Sequence, residues 1–193
     1  MGIVKRAADL VYTFRFLRLL TTNFEDTEAY KAGIIDEKGK RRKEFTTDNI
    51  YDREKYKEYY TPFHRLVFNI KKLIPMGKLG SYAAALYLIK EKYGVNDKQI
   101  DHALKLMDVD TTDIMVESSQ WLVLEDLRLS PGSYKVKGTK LLNDSLDEMV
   151  NPKDVVIVDH KAFPVGEVFG MNIYEATHKR TNKKVYITID ELM

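Results

Sequence analysis

The feature that most constrains the fold is a change of hydrophobic period near Ser130-Pro131-Gly132. Before it, apolar residues recur at the three- and four-residue spacing of a helix; after it, short β-branched runs alternate with turn residues. The pattern predicts an α+β protein with a mainly helical domain over residues 1–130 and a small antiparallel β-domain over residues 131–193. Five short runs in about 60 residues further suggest a barrel-like β-module.

Composition excludes several kinds of chemistry. The chain of 193 residues has no cysteine, so disulfides, thiol nucleophiles and cysteine-rich zinc sites are excluded. Hydrophobic residues make up 44% and charged residues 31%, which is typical of a globular protein. Arg15 and Arg18 interrupt the first apolar stretch, and no run reaches the roughly 18 apolar residues of a membrane span. We therefore expect a soluble, non-secreted protein.

Positive charge is concentrated in the first part of the chain. Residues 1–80 contain 17 Lys and Arg against 11 Asp and Glu, whereas residues 81–130 contain 5 against 9. The densest cluster is formed by Lys38, Lys40, Arg41, Arg42 and Lys43. Such a cluster could neutralise several phosphates, so it predicts a nucleic-acid-binding segment and, as an alternative function, a nucleic-acid-binding regulatory protein. The alternative is an exposed basic loop with no ligand.

The N-terminal helix is more apolar than a single buried face requires. Its bulky apolar positions include Leu10, Phe14, Phe16, Leu17, Leu19 and Leu20. They cover more than the stripe of roughly 100° that faces one core. Two hypotheses follow: part of this surface binds another protein, or the remaining helices enclose it completely.

Several local signals predict where elements begin and end. Thr61-Pro62 is a typical helix start, and Asn96 followed by Gln99 is a capping box. Gly94 should end the helix before it. Asn23 should cap a helix over residues 24–32. Residues 177–185, THKRTNKKV, indicate a terminal β-hairpin.

No motif points firmly to catalysis, a metal or a cofactor. Asp108–Thr112, DVDTT, matches the DxDx[TV] box of aspartyl-phosphate phosphatases, but the parallel α/β repeat that this chemistry requires is missing. His64, His102, His160 and His178 show no metal-ligand spacing. The helices around Gly94 have the outline of a helix-turn-helix, but the second one is rich in aspartate. We expect no enzyme, no cofactor and no small-molecule substrate.

Three stretches carry a resemblance to a group of proteins. They are KRAADLVYTFRFLRLLTT…EAYKAGIIDEKGK, YTPFHRLVFNIKKLI with SYAAALYLIKE, and the ending PVGEVFGMNIYEATHKRTNKKVYIT. Together they resemble small virion-associated or capsid-assembly proteins of large contractile-tailed bacteriophages. The resemblance implies a non-enzymatic phage structural or assembly protein, found in the virion or in the cytoplasm of the infected cell. Its partners would be copies of itself or other phage structural proteins, possibly with DNA. It assigns no site residues.

Overall fold

The fold is known from a computed structural model, which describes residues 2–76, 79–109, 122–144 and 148–193. In the first helix, side chains are described from Val11 onward. We call residues 2–109 the helical body and residues 122–193 the β-region. The described residues form helices followed by antiparallel strands, so the predicted α+β class is confirmed.

The described part of the helical body contains six α-helices. They are α1 (Gly2–Thr21), α2 (Glu28–Lys31), α3 (Ile50–Tyr59), α4 (Pro62–Leu73), α5 (Leu79–Tyr93) and α6 (Asp97–Leu106). Helices α4 and α5 pack on each other, and α1 packs against α4 and α6. Short 3-10 turns follow α1, over Phe24–Asp26, and α4, over Ile74–Met76.

The predicted helix ends are mostly confirmed. The Thr61 hydroxyl accepts a hydrogen bond from the His64 backbone N–H at 3.3 Å, and Pro62 is the first residue of α4. Asn96 and Gln99 form the capping box of α6. Gly94 follows α5 with φ +69°, in the left-handed region that glycine adopts without strain.

The helix predicted over residues 24–32 is interrupted. Thr27 has extended backbone, with ψ 150°, and its side chain caps α2, so the segment divides into a 3-10 turn and one short helix. Asn23, the predicted cap, makes no capping bond through its side chain. The local hydroxyl of Thr27 therefore fixes the helix start instead.

The β-region contains two antiparallel sheets. Seven strands are described: β1 (Gly132–Lys135), β2 (Lys140–Leu141), β3 (Met149–Val150), β4 (Val155–Val158), β5 (Pro164–Val168), β6 (Met171–His178) and β7 (Lys183–Ile187). Strands β2 and β3 pair with each other, and the other five form one sheet. In that sheet β6 pairs with β4, β5 and β7, and β1 pairs with β4. The predicted terminal hairpin is β6–β7.

The sheet does not close, so the predicted barrel is wrong. Helix α5 packs across β5, β6 and β7 and supplies the apolar cover that a barrel would take from its own opposite wall. Tyr87 of α5 lies so close to Gly166 that a β-carbon there would come within 2.2 Å of its ring. Tyr87 and Lys90 also donate hydrogen bonds to the carbonyls of Val165 and Glu167, at 2.8 and 2.7 Å.

One hydrophobic cluster joins the helical body to the sheet. It contains fully buried Leu86 and Ile89 of α5 together with Val168 and Ile173 of the sheet. A second cluster lies within the β-region and includes Tyr174 and Val185. A third, smaller cluster surrounds Phe68 and holds the segment between α2 and α3 against α4.

Candidate functional site

Helix α1 presents a continuous exposed stripe. Val11, Phe14, Arg15 and Arg18 are all exposed and occur at positions i, i+3, i+4 and i+7, which lie on one side of a helix. Phe14 is 65% exposed and Val11 is 50% exposed. We call these four residues the outer stripe. It is apolar towards the N-terminus and cationic towards the C-terminus.

The opposite side of α1 belongs to the core. Phe16 and Leu20, predicted as interface residues, are fully buried by the chain itself and are not available at the surface of this fold. Leu17 and Leu19 are partly buried and pack against the same core. Leu10 lies outside the residues whose side chains are described. Of the predicted interface residues with described side chains, Phe14 is the most exposed.

The predicted nucleic-acid-binding residues lie on a tight turn, which we call the basic loop (residues 38–43). The Asp36 carboxylate accepts hydrogen bonds from the backbone N–H groups of Lys38 and Lys40, at 3.0 and 2.8 Å. Gly39 has φ +72° and lies directly against the Phe24 ring, where a side chain would collide. The turn is thus fixed by Asp36 and Gly39, two residues that do not belong to the cationic set.

All five cations of the basic loop are exposed. The Arg41 guanidinium lies 5.4 Å from the Tyr56 ring centroid, and the Arg42 guanidinium lies 5.4 Å from that of Tyr30. The Arg42 side chain also donates to the Ile35 carbonyl at 2.9 Å. None of the five forms an ion pair with a carboxylate of the described residues. The structure thus brings together all five predicted residues, and it places two of them on aromatic rings.

A cleft of about 290 Å³ opens beside the cationic end of the outer stripe. Helix α1 contributes Arg15 and Arg18, and α4 contributes His64; apolar contact comes from Leu19 and Phe68. The wall formed by residues 26–29 and helix α3 is acidic, with Asp26, Glu28 and Glu58. Sequence reasoning missed this cleft, because its walls come from four separate segments.

The acidic wall is partly neutralised. Glu28 forms an ion pair with Lys31 at 2.9 Å. The charge of Asp26 acts on the Lys71 ammonium, although burial lowers the pKa of Lys71 overall. The Glu58 charge is the largest cause of the raised pKa of the adjacent Tyr59 hydroxyl, and Glu58 itself forms no ion pair with a described cation. Arg15 and Arg18 also form no ion pair with any described carboxylate.

His64 is neutral at physiological pH. Burial, with a smaller contribution from the nearby Arg15 charge, lowers the pKa of His64 from 6.5 to about 4. Its Nδ1 lies 2.7 Å from the Thr61 hydroxyl oxygen. Because that hydroxyl has no other acceptor among the described residues, we assign its proton to this bond. Nε2 then carries the imidazole proton and is a donor without a partner in the described part of the chain.

The β-region contains an arrangement that superficially resembles a hydrolase triad. His178 Nδ1 lies 2.8 Å from the Thr181 hydroxyl, and Nε2 lies 3.2 Å from the Asp154 carboxylate. Asp154 also accepts from the Asn151 backbone at 3.0 Å and from Arg180 at 3.3 Å, and these donors lower the pKa of its carboxyl. His178 is fully buried. The group therefore fixes the turn between β6 and β7 onto the loop before β4.

A buried ion pair holds the C-terminus. The Lys140 ammonium contacts the Glu191 carboxylate, and both residues are at least 96% buried. Glu191 also accepts from the backbone and side chain of Thr188, at 2.8 and 3.0 Å. Burial raises the pKa of the Glu191 carboxyl, against the opposing effect of Lys140. This cluster ties β2 to the last residues of the chain.

The other predicted sites gain no support from geometry. Among the described residues, no group of three or more His, Asp or Glu side chains is placed to hold a metal ion. The phosphatase-like box lies outside the described residues from Asp110 onward. None of the described helices is both long and apolar enough to cross a membrane.

Comparison with known proteins gives no identification. No family model matches the chain, and neither the curated proteins nor the solved structures contain a match.

Proposed function

We propose that this chain is a non-enzymatic structural or assembly protein of a contractile-tailed bacteriophage that acts by binding other protein. The phage assignment rests on the sequence resemblance alone. The observation that carries the binding role is the outer stripe of α1. A phenylalanine that is 65% exposed, one turn from a half-exposed valine, leaves apolar area in water that a protein partner would cover.

The phage assignment is tested by mass spectrometry of purified particles and assembly intermediates. The chain should be enriched in one of these fractions relative to the infected-cell lysate. An even distribution through the soluble lysate would contradict the proposal.

The binding role is tested by Phe14→Asp. Because Phe14 faces solvent, the variant should fold normally, yet its association with particles should fall at least about tenfold, as expected for loss of a central aromatic contact. Leu106→Asp is the matched control, since Leu106 is 61% exposed on a different helix, α6. If both variants associate like the wild type, the outer stripe is not the contact surface.

A second candidate function is binding of nucleic acid by the basic loop. It is favoured by five exposed cations with no carboxylate partner among the described residues, and by Tyr30 and Tyr56 beside two of them. Electrostatic contact of this kind would act on packaged DNA or on RNA without reading sequence.

A further inference from the structure

The outer stripe and the cleft are one continuous surface. Arg15 and Arg18 belong to both: they end the stripe and form the α1 wall of the cleft. A partner covering Phe14 and Val11 would therefore place its neighbouring residues against these two arginines. The chemistry of the cleft then determines what those residues must be.

The cleft offers donors that can bind an anionic acceptor. Two guanidinium groups without an ion pair and the Nε2–H of His64 all lack acceptors in the described part of the chain. Guanidinium groups bind carboxylates in paired, charge-assisted hydrogen bonds. Because burial keeps His64 neutral, it contributes a hydrogen bond and no charge.

The acidic wall of the cleft selects against a polyanion. Asp26, Glu28 and Glu58 line the same cleft, so a chain of phosphates would meet carboxylates as well as arginines. An isolated carboxylate can contact the α1 wall alone. A volume of about 290 Å³ also admits a few side chains. Apolar Leu19 and Phe68 in the cleft, and Phe14 outside it, favour a ligand that is partly apolar.

We propose that the stripe and cleft bind a segment of another protein in which glutamate or aspartate alternates with large apolar side chains. One carboxylate enters the cleft between Arg15, Arg18 and His64, and an adjacent apolar side chain covers Phe14. The inference rests on the proposed protein-binding function and specifies the chemistry of the partner.

The test uses the full-length chain and a short capped Leu-Glu-Leu peptide with a single glutamate, with the same peptide carrying glutamine for glutamate as its control. Binding is measured by calorimetry, and the His64 ring signals are followed by NMR. The glutamate peptide should bind and shift those signals. The glutamine peptide should bind about tenfold more weakly or worse, because it cannot form the charge-assisted bonds.

Variants locate the binding. Arg15→Gln with Arg18→Gln should weaken the glutamate peptide at least about tenfold without affecting folding, since both side chains are exposed. Lys38→Gln with Lys40→Gln removes the same charge elsewhere and should leave peptide binding unchanged. Equal loss in both double variants would mean that only net charge matters, and would overturn the inference.

Two competitors complete the test. Inorganic phosphate and single-stranded oligothymidine should compete poorly with the glutamate peptide. If either binds the wild type more tightly than the peptide and loses affinity in the Arg15 and Arg18 variant, the cleft is a phosphate or nucleic-acid site and the inference is wrong. Failure of the glutamate peptide to bind the wild type would also overturn it.

The outcomes separate this inference from the proposed function. If Phe14→Asp loses particle association while the double arginine variant retains it, the stripe binds protein but the acidic partner is wrong. If the chain is absent from particles and peptide binding still depends on Arg15 and Arg18, the acidic ligand holds and the phage role fails.

Discussion

Two sets of cations, one in the β-region and one in the helical body, differ in whether they are paired, although the helical body also contains ion pairs such as Lys90 with Asp97 at 2.7 Å. In the β-region, Lys184 pairs with Glu175 at 2.8 Å, Arg180 with Asp154 at 3.3 Å, and Lys140 with a buried glutamate. In the helical body, the arginines of the outer stripe and all five cations of the basic loop lack such partners among the described residues. These three pairs join separate segments of the β-region, whereas exposed unpaired cations are available to ligands.

The largest effect on stability is expected where the buried ion pair between Lys140 and Glu191 is broken. Lys140→Ala leaves the Glu191 carboxylate buried without its counter-ion, so the free energy of unfolding should fall by about 3–5 kcal/mol. Urea denaturation followed by circular dichroism measures this. Lys183→Ala, which removes an exposed pair with Glu148, is the control and should cost less than about 1 kcal/mol. Similar losses for the two variants would refute a structural role specific to the buried pair.

The next largest expected effect is a dependence of folding stability on pH, which comes from His64 in the cleft. The folded-state pKa of His64, about 4, lies below its ordinary value of 6.5, so the unfolded chain takes up the proton first as pH falls. The free energy of unfolding is therefore highest above about pH 6.5 and falls as pH falls towards 4, by about 1–2 kcal/mol once the partial exposure of the ring to solvent is allowed for.

Urea denaturation across this pH range tests the assignment. His64→Gln should remove that part of the slope, and His160→Gln, at an exposed position, should not. An unchanged slope in His64→Gln would mean that the imidazole is accessible to protons in the folded state.

The smallest effect on folding is expected at the basic loop. Arg41→Ala with Arg42→Ala should change stability by no more than about 1 kcal/mol, because both side chains are exposed and interact only weakly with the neighbouring rings. If the loop binds DNA, the log–log dependence of affinity on salt should become shallower by about 0.9 for each phosphate that the variant no longer neutralises. DNA binding that is absent at low salt, or a slope that does not change, would remove this second function.

More of the fold than of the candidate site could be predicted from the sequence. The Thr61-Pro62 start, the Asn96 capping box and the β6–β7 hairpin are local, and each is predictable from a few adjacent residues. The open sheet is not, because its cover comes from α5, far away in the chain. Likewise, nothing local pairs Lys140 with Glu191, which are 51 residues apart.

Only part of the outer stripe could be predicted from the sequence. Phe14 and Phe16 are equally apolar, and which of them faces the core depends on where α4 and α6 pack against α1. The spacing of Arg15 and Arg18 did carry a signal, since charged residues at i and i+3 mark the exposed side of a helix. Val11 and Phe14 lie on that same exposed side although they are apolar, and this exception indicates a binding surface.

The central claim is that the two sides of α1 have different roles, and one paired measurement tests it most directly. Phe14→Ala and Phe16→Ala are compared for the free energy of unfolding and for co-sedimentation with particles. We expect Phe16→Ala to lose about 3–5 kcal/mol of stability, because it empties a fully buried site. We expect Phe14→Ala to stay within about 0.5 kcal/mol of the wild type and to lose co-sedimentation. Full co-sedimentation of Phe14→Ala, or a stability loss equal to that of Phe16→Ala, would contradict the account.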